Sequence, residues 1–476
     1  MTEDVQVADG MRGKRSLRPL GGVLAAMAVS LTGTRISAVA LPWFVLVTTG
    51  SATRTGLVAF CEMAPYVLVK AFTGPLVDRA GPRVVSWSTD LVSAAAVAAV
   101  PLLHAPHVLS FPLLLALVAV IGAARGPGDL AKEVMVPEAA EHGGVPLERA
   151  TGLSGTTERL AATVGPVAGG SLVALAGPLT GLFVNAGCFA LGSVITALAL
   201  PRGTGRAAEE AAPRDGGGRP GYWRRFGEGF TFLRGEPLLL TVVVMVAVTN
   251  LLDAAFTTVL LPVWARESGN GPTVIGLIGS VLGAAAVGGS LIAAMAAHRL
   301  PRRAVFFTGF LLAGAPRFLV LAGDAPLGVI LAVFAVSGFG SGFLNPVLGA
   351  VLLERVPRRM LGRVNALGDS LAWAGIPLGG LLAGAVVTAT GLVPVLLACG
   401  AAYFLTTNLT GLRPEWREMD RPGGRSDPKR HPEHPEHPEH LQHPEHPEHL
   451  QRPQHLQHPE PPEENDTAQP GARATT

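Results

Sequence analysis

One short charged stretch early in the chain decides how the rest of the sequence is interpreted. It lies between two long apolar runs and reads Gly74-Pro75-Leu76-Val77-Asp78-Arg79-Ala80-Gly81-Pro82-Arg83. Gly74 permits close contact between two helices, and Gly81 permits a tight turn. Asp78 is suited to a helix N-terminus, where negative charge is favoured. The pattern is typical of a polar loop that joins two membrane-spanning helices.

The composition of the whole chain excludes a soluble protein. Of the 476 residues, 49% are hydrophobic and 15% are charged, whereas soluble proteins carry about 25% charged residues. A membrane-spanning helix needs about 20 mostly apolar residues, and six such runs occur on either side of a polar segment at residues 201–237. A β-barrel would instead show alternating segments of about ten residues. The predicted fold class is all-α and integral to the membrane, with twelve transmembrane helices in two six-helix pseudo-repeats.

Positive charge alternates between successive loops and predicts the orientation. Lys and Arg are enriched in cytoplasmic loops of membrane proteins. The amino-terminal tail and every second loop hold nearly all the Lys and Arg between the spans, whereas the intervening loops hold Arg54 and Arg266. We therefore expect a multi-pass protein of the bacterial cytoplasmic (inner) membrane, with both termini in the cytoplasm.

The polar segments divide the chain into five regions. We predict a cytoplasmic N-terminal tail, an N-terminal six-helix bundle, a cytoplasmic linker, a C-terminal six-helix bundle and a disordered cytoplasmic tail, at residues 1–19, 20–200, 201–237, 238–412 and 413–476. In the linker, Tyr222, Phe226, Phe230 and Leu233 fall at helical spacing, which predicts an amphipathic helix on the inner leaflet.

The carboxyl-terminal tail repeats His-Pro-Glu between residues 431 and 460. Proline every third residue prevents a helix and favours an extended, disordered segment. Two interpretations stay open for this repeat. It is either a metal-binding or pH-sensing tail, or a low-complexity extension that transport does not need.

The charged stretch resembles the signature of the major facilitator superfamily, G-x-L-x-D-R-x-G-x-R. The match includes every defined position, and it lies in the same loop, between the second and third spans; its residues are Gly74, Leu76, Asp78, Arg79, Gly81 and Arg83. The resemblance implies a transporter. It also implies that this loop is a conformational latch, which holds the two halves together in the outward-facing state by a contact of Asp78 with the start of the eleventh span, near residues 361–363.

The fifth span carries a second resemblance, to the antiporter motif of exporters. The matching residues are Gly152, Gly165, Pro166, Gly169 and Gly170, and Ala161 replaces the middle glycine. The stretch Ala40-Leu41-Pro42-Trp43 is similar to macrolide and siderophore exporters. Together these resemblances imply export of a hydrophobic or amphipathic small molecule by proton antiport. The sequence differs from the exporter pattern at two positions that concern proton coupling. Thr34 precedes Arg35 where an acidic residue is usual, and Gly126-Pro127-Gly128 follows Arg125.

Ionisable residues inside the spans are candidates for proton coupling or the substrate pathway. Each costs about 2.5–3.5 kcal/mol at the membrane centre, so its presence suggests a function. The candidates are Glu62, Asp253, Glu158, Arg35 and Arg125. We predict a pair between Arg35 and Glu62, either static or gating. Nearer the cytoplasmic face, Lys70, Asp90 and Asp369 are expected to snorkel or to pair.

Other classes of function find less support in the sequence. The spans contain no clustered His or Cys ligands, no phosphate-binding loop and no nucleophile–base set, so we expect no catalytic residues, no metal and no cofactor. The expected partners are a small-molecule substrate, protons and the lipid bilayer, without nucleic acid, and the protein is expected to be a monomer. Two alternatives remain, a metabolite importer or facilitator of the same fold, and a non-transporting sensor that uses the His-rich tail.

The predicted orientation can be checked with a reporter enzyme that is active only outside the cytoplasm. The reporter should be silent when inserted at Gly216, in the linker, and active at Gly269, in the loop after the seventh span. Activity at Gly216 would reverse the orientation.

Overall fold

The computed structural model describes residues 16–201, 222–296, 301–323, 325–356, 361–411 and 416. Within them the chain forms helices and no strands, and twelve helices are long and apolar enough to cross a membrane. The predicted all-α fold class with twelve transmembrane helices is therefore confirmed. We number these helices α1–α12, and they span Arg18–Thr49, Ala52–Phe72, Pro82–His104, Phe111–Gly143, Leu147–Ala176, Pro178–Ala199, Pro237–Glu267, Gly271–Ala293, Arg302–Ala322, Leu327–Gly349, Leu367–Thr390 and Leu392–Gly411.

Short polar signals set the ends of several helices. At the start of α2, the Ser51 hydroxyl accepts a hydrogen bond from the Arg54 backbone N–H, which satisfies one of the free donors of the first turn. Gly50 and Gly144 follow α1 and α4 with φ angles of 67° and 62°. Glycine adopts this left-handed conformation at low cost, so each helix ends at its glycine.

The fourth span is longer than predicted. The apolar run in this part of the sequence predicts a span over residues 111–126, but α4 continues to Gly143. A Cβ on Gly126 would lie 2.9 Å from the Tyr66 carbonyl oxygen, and a Cβ on Gly128 would lie 2.7 Å from Thr89 Oγ1. These glycines let α4 lie directly against α2 and α3, and the close packing supports the helix beyond Pro127. The additional turns bring polar side chains of α4 into the bundle.

Several helices of the C-terminal half are interrupted. Helix α7 contains a π-helical turn at Phe256–Leu260, a feature that is frequent at functional sites. Helix α9 breaks at Gly314, and α10 and α11 also break, between Ser341 and Leu344 and between Trp373 and Ile376. Residues at these interruptions line the cavities described below.

The twelve helices form two bundles, α1–α6 and α7–α12. In the first bundle α1 packs on α5 and α6, and α3 packs on α4 and α6; in the second, α7 packs on α11 and α8 packs on α10. The bundles contact each other mainly through α5 with α8 and through α2 with α11. The cavity between them is therefore bordered by helices from both halves of the sequence.

Helices α5 and α8 touch over only part of their length. A Cβ on Gly170 would lie 2.9 Å from Gly276 Cα, and a Cβ on Gly283 would lie 3.2 Å from atoms of residues 162 and 163. Further along α5, a Cβ on Gly155, which lies on the same face as residue 162, would meet no atom within 4 Å among the described residues. The two helices thus separate toward the end of the molecule that carries residues 74–83, which we call the motif end.

Polar contacts join the bundles at the end opposite to the motif end. The hydroxyls of Thr53 on α2 and Thr388 on α11 lie 2.8 Å apart. The Arg266 guanidinium on α7 donates to the Leu46 carbonyl oxygen near the end of α1 at 3.2 Å. A cation at a helix C-terminus is favourable because the last carbonyls lack partners within the helix. The described conformation is therefore closed at this end.

One ion pair is fully enclosed in the N-terminal bundle. The Lys132 ammonium on α4 donates to the Asp90 carboxylate on α3 at 2.7 Å, and the two side chains are only 3% and 4% exposed. Ser30 on α1 donates to the other Asp90 oxygen at 3.5 Å. A Cβ on Gly192 of α6 would lie 3.2 Å from that oxygen. Asp90 thus pairs, and four helices meet around it.

Two segments outside the spans pack on the C-terminal bundle. A helix over Tyr222–Gly235 lies in the linker, and its Leu233 is buried. Trp416 is also buried, with its ring centroid 5.4 Å from that of Phe306. The remaining tail, its His-Pro-Glu repeat, the linker before the helix and the amino terminus lie outside the described residues, at 417–476, 202–221 and 1–15.

The enclosed ion pair predicts a large loss of stability on removal of one charge. Asp90→Asn leaves the Lys132 ammonium buried without a counter-charge, which costs about 3–5 kcal/mol. We expect a lower melting temperature of the purified protein in detergent. The double variant Asp90→Asn, Lys132→Met should recover most of the loss, because it removes both charges. Equal destabilisation of the single and double variants would show that charge is not the cause.

Candidate functional site

A cavity of about 380 Å³ lies between the two bundles. Its wall is built from α1, α2, α4, α7 and α11, and most of the lining is apolar or small. Charged side chains are few among the lining residues, namely Arg35, Glu62, Arg125 and Asp253. An apolar cavity with few convergent polar groups is the usual form of a small-molecule site. Four of the five predicted charged candidates line it, and Glu158 on α5 does not.

Glu62 pairs with Arg125, and the predicted pair of Glu62 with Arg35 is wrong. Arg125 Nη1 donates to Glu62 Oε1 at 2.8 Å, and the side chains are 12% and 18% exposed. The cause is the close crossing of α2 and α4 at Gly122, whose Cβ would overlap the Glu62 carbonyl oxygen. Arg125 follows Gly122 by about one helical turn, which places it beside the Glu62 side chain.

Arg35 lies in the same cavity without an ion pair among the described residues. Its Cβ is in close contact with Gly165 of α5, where an added Cβ would approach to 2.4 Å. The carboxylates of Glu158 and Asp129 lie within electrostatic reach of its guanidinium. Arg35 therefore offers a positive charge and free hydrogen-bond donors to the cavity.

The contact between Glu62 and Arg125 is the first of three polar contacts between α2 and α4. The Tyr66 hydroxyl donates to Asp129 Oδ2 at 3.2 Å, and the Lys70 ammonium donates to Glu133 Oε1 at 3.4 Å. Each pair is separated by 63 residues, so successive pairs follow at one-turn intervals toward the motif end. We call this series the α2–α4 ladder. Tyr66, Asp129 and Glu133 were not among the predicted candidates. The spacing was a usable signal, because Tyr66 follows Glu62 by four residues and Asp129 and Glu133 follow Arg125 by four and eight.

The other bundle holds a second pair at the edge of the cavity. Arg317 on α9 donates to the Asp253 carboxylate on α7. The Arg317 guanidinium lies 5.3–5.5 Å from the ring centroids of Phe256, Phe318 and Tyr403, where cation–π attraction holds it. Asp253 also lines a second cavity of about 290 Å³ inside the C-terminal bundle. Asp253 thus connects the central cavity to a chamber that the sequence did not predict.

The residues of the predicted latch lie at the motif end. A short helix, Gly74–Ala80, precedes Gly81, whose φ of 84° is accessible to glycine at low cost. Asp78 and Arg79 are exposed and Leu76 is 50% exposed. The Arg83 guanidinium donates to the Ala197 carbonyl oxygen at the end of α6, which anchors the loop to its own bundle. The predicted partner of Asp78 is the stretch of residues 361–363. The structure describes the backbone of these residues but not their side chains.

The residues of the antiporter motif form the crossing between α5 and its neighbours. Gly165 and Gly169 face Arg35 and Ile36 of α1, and Gly170 faces Gly276 of α8. A Cβ on Gly276 would lie 2.3 Å from the Pro166 carbonyl oxygen. Gly152, the first residue of the motif, has no atom near its Cβ position among the described residues. Gly165 and Gly169 therefore pack α5 against α1 in its own bundle, and Pro166 and Gly170 allow the two bundles to touch.

Two six-helix bundles, a cavity between them and a glycine-rich crossing define a membrane transporter of the major facilitator type. The chain belongs to the family described as "Transmembrane secretion effector", whose model matches residues 21–445. Together with the relatives described next, this match confirms the resemblance to the drug-exporting branch of the superfamily.

Relatives of the chain include two efflux pumps. "Multidrug efflux pump Tap" of Mycobacterium tuberculosis is 33% identical over 406 residues, which cover 84% of this chain and 94% of that protein. The protein of the same name from Mycolicibacterium fortuitum is 32% identical over 409 residues, which cover 84% of this chain and 97% of that protein. The match extends over both bundles.

Solved structures share the fold at low sequence identity. The nucleoside transporter NupG superposes with a TM-score of 0.65 at 15% identity, over 85% of this chain and 99% of that one. A bacterial homologue of the human lysosomal transporter Spinster, inward-facing and unoccupied, gives 0.62 at 13% identity, over 87% of this chain and 100% of that one. At these identities the likeness shows the fold alone.

The glycine crossing of α5 and α8 gives a prediction with a matched control on one helix. Gly276→Val forces its side chain against the Pro166 carbonyl oxygen, and such overpacking costs about 1–3 kcal/mol. We expect normal insertion and a severe loss of transport. Gly288→Val, whose Cβ would meet no atom of the described residues within 4 Å, should transport normally. Equal activity of the two variants would contradict a role for this crossing.

Proposed function

We propose that the protein exports hydrophobic or amphipathic small molecules from the cell by alternating access, driven by proton antiport. The observation that carries the proposal is an ion-paired carboxylate, Glu62, at the wall of an apolar cavity between two bundles. Two relatives named as multidrug efflux pumps, each covering most of the chain, favour export over import.

The cavity suits a substrate of this chemical class. Its apolar lining favours the burial of hydrophobic surface, and Arg35, Asn250 and Asp253 offer a small number of polar contacts. No single group dominates the wall, so the cavity fits several related molecules better than one rigid polar metabolite. Sparse polar contacts are compatible with low selectivity.

Glu62 is the group that we assign to the coupling proton. When ionised, it accepts the hydrogen bond from Arg125; when protonated, it loses the charge that attracts the guanidinium. This interaction therefore differs between the two protonation states. Only such a differential interaction can shift an equilibrium between inward-facing and outward-facing conformations. Asp253 is the second candidate, since it is also paired at the cavity wall.

The described conformation corresponds to an inward-facing state in this proposal. The loops at the motif end are rich in Lys and Arg, and such loops favour the cytoplasmic side. Helices α5 and α8 separate toward that end, while Thr53 and Thr388 join the bundles at the other. In the outward-facing state, the motif end closes and Asp78 contacts the start of the helical segment Leu361–Trp373. Residues 74–83 then act as the latch.

The proposal predicts that Glu62→Gln loses proton-driven export. The variant cannot change its charge, so the coupling is removed, and a coupling free energy of the usual size corresponds to about a 5- to 150-fold effect. Export is measured as dye and antibiotic accumulation in a pump-deficient host, with and without a protonophore. Substrate binding to the purified variant should persist.

Glu141→Gln, an exposed carboxylate on the same helix as Arg125, is the matched control and should export normally. Wild-type export by Glu62→Gln that still stops with the protonophore would transfer the role to another carboxylate. Export by the wild-type protein that ignores the protonophore would contradict proton antiport.

A further inference from the structure

Arg125 uses only part of its hydrogen-bonding capacity in the described conformation. It gives Glu62 a single hydrogen bond at 2.8 Å through Nη1, whereas a guanidinium can bind a carboxylate through two parallel bonds. Among the described residues, its Nε is buried without a partner. A buried donor without an acceptor is unfavourable. The guanidinium is therefore expected to form a further hydrogen bond when another acceptor comes within reach.

Asp129 is the carboxylate that can supply this further acceptor to Arg125. It follows Arg125 by four residues on α4, and side chains at this spacing are neighbours on a helix. Its carboxylate is now held by the neutral Tyr66 hydroxyl at 3.2 Å, and a charged donor forms a stronger bond than a neutral one. The Arg125 guanidinium already lies 5.2 Å from the centre of the Tyr66 ring, so a short movement along the ladder brings it to Asp129.

The charges of the ladder balance only when Glu62 is protonated. With Glu62 ionised, the ladder holds three carboxylates and two cations, namely Glu62, Asp129, Glu133, Arg125 and Lys70. With Glu62 protonated, each remaining carboxylate has one cation. The neighbouring helices α1, α5 and α11 add one charged group each within electrostatic reach, namely Arg35, Glu158 and Asp369. Their net charge is −1, so they add to the excess of negative charge that protonation of Glu62 lowers.

We propose that Arg125 changes its partner from Glu62 to Asp129 when Glu62 is protonated, and that this change displaces the Tyr66 hydroxyl. The inference rests on the proposed function, in which Glu62 carries the coupling proton. The proton comes from water in the cavity and returns to water when Arg125 moves back. Arg125 keeps its own charge throughout. Asp129 and Tyr66 are positioning residues, because they act on the proton site through Arg125.

Trp373 connects this exchange to the other bundle. Its ring stacks on Tyr66 with the centroids 6.2 Å apart and an angle of 15° between the planes. The Lys70 ammonium lies 5.1 Å from the same indole. Trp373 ends the helical segment Leu361–Trp373, immediately before the break in α11. Displacement of Tyr66 therefore changes a contact between the bundles at a point where α11 can bend.

The test is the pH profile of substrate transport by purified protein in liposomes. Asp129→Asn removes the alternative partner, so Arg125 holds ionised Glu62 more firmly and protonation requires lower pH. We expect the midpoint to move by about one pH unit toward acid, a tenfold change in proton affinity. Tyr66→Phe keeps the ring but frees Asp129 for Arg125, so its midpoint should move toward alkaline pH. General destabilisation cannot produce shifts of opposite sign.

Two further variants separate the parts of the proposal. Glu141→Gln, an exposed carboxylate on α4 outside the ladder, is the matched control and should keep the wild-type midpoint. Trp373→Leu should keep that midpoint but lower the maximal rate, because proton binding is intact and its transmission is lost. A wild-type maximal rate in Trp373→Leu would show that Trp373 does not connect the partner exchange to the other bundle.

The partner exchange and the proposed function fail in different ways. Wild-type midpoints in both Asp129→Asn and Tyr66→Phe, with the pH dependence abolished in Glu62→Gln, would overturn the exchange and leave Glu62 as the proton site. A persistent pH dependence in Glu62→Gln would overturn the assignment of the proton to Glu62, and the exchange with it.

Discussion

Helices surrounded by lipid gain little from burying apolar surface against each other, so their association depends on close packing at small residues. Glycine supplies that contact at several helix crossings, both within a bundle and between the bundles. Gly122 brings α4 onto the backbone of Glu62, and Gly170 and Gly276 bring α5 onto α8. The first crossing places Arg125 beside Glu62, and the second closes one end of the cavity. The charged groups and the conformation of the transporter both depend on these backbone contacts.

The ion pairs inside the bundles differ in their access to the cavity. Asp90 and Lys132 are almost completely enclosed, and removing either charge leaves the other without compensation, so this pair acts as a fixed support. Glu62 and Arg125 border the cavity and retain some exposure. A proton or a substrate can therefore reach them. The two ion pairs are chemically similar but differ in burial. The enclosed pair supports the bundle, and the pair at the cavity can change during transport.

Polar groups of both bundles line the central cavity. A proton or a substrate in the cavity therefore contacts both halves of the transporter. The α2–α4 ladder leads from Glu62 toward the motif end, and its Tyr66 touches Trp373 of the opposite bundle. On the other side, Asp253 connects the central cavity with the chamber around Arg317. A change of charge at the cavity wall is thereby linked to helix contacts at a distance from it.

The sequence by itself determined the twelve spans, because each helix in lipid must satisfy its own backbone hydrogen bonds and therefore appears as a separate apolar run. It also determined the transporter class through residues 74–83. Only the tertiary structure decided that α4 continues to Gly143 and that Glu62 pairs with Arg125 instead of Arg35. The pairing of charges on different helices depends on which helices touch and how each is rotated. A close crossing at one glycine sets both, and the local pattern of either helix does not contain that information.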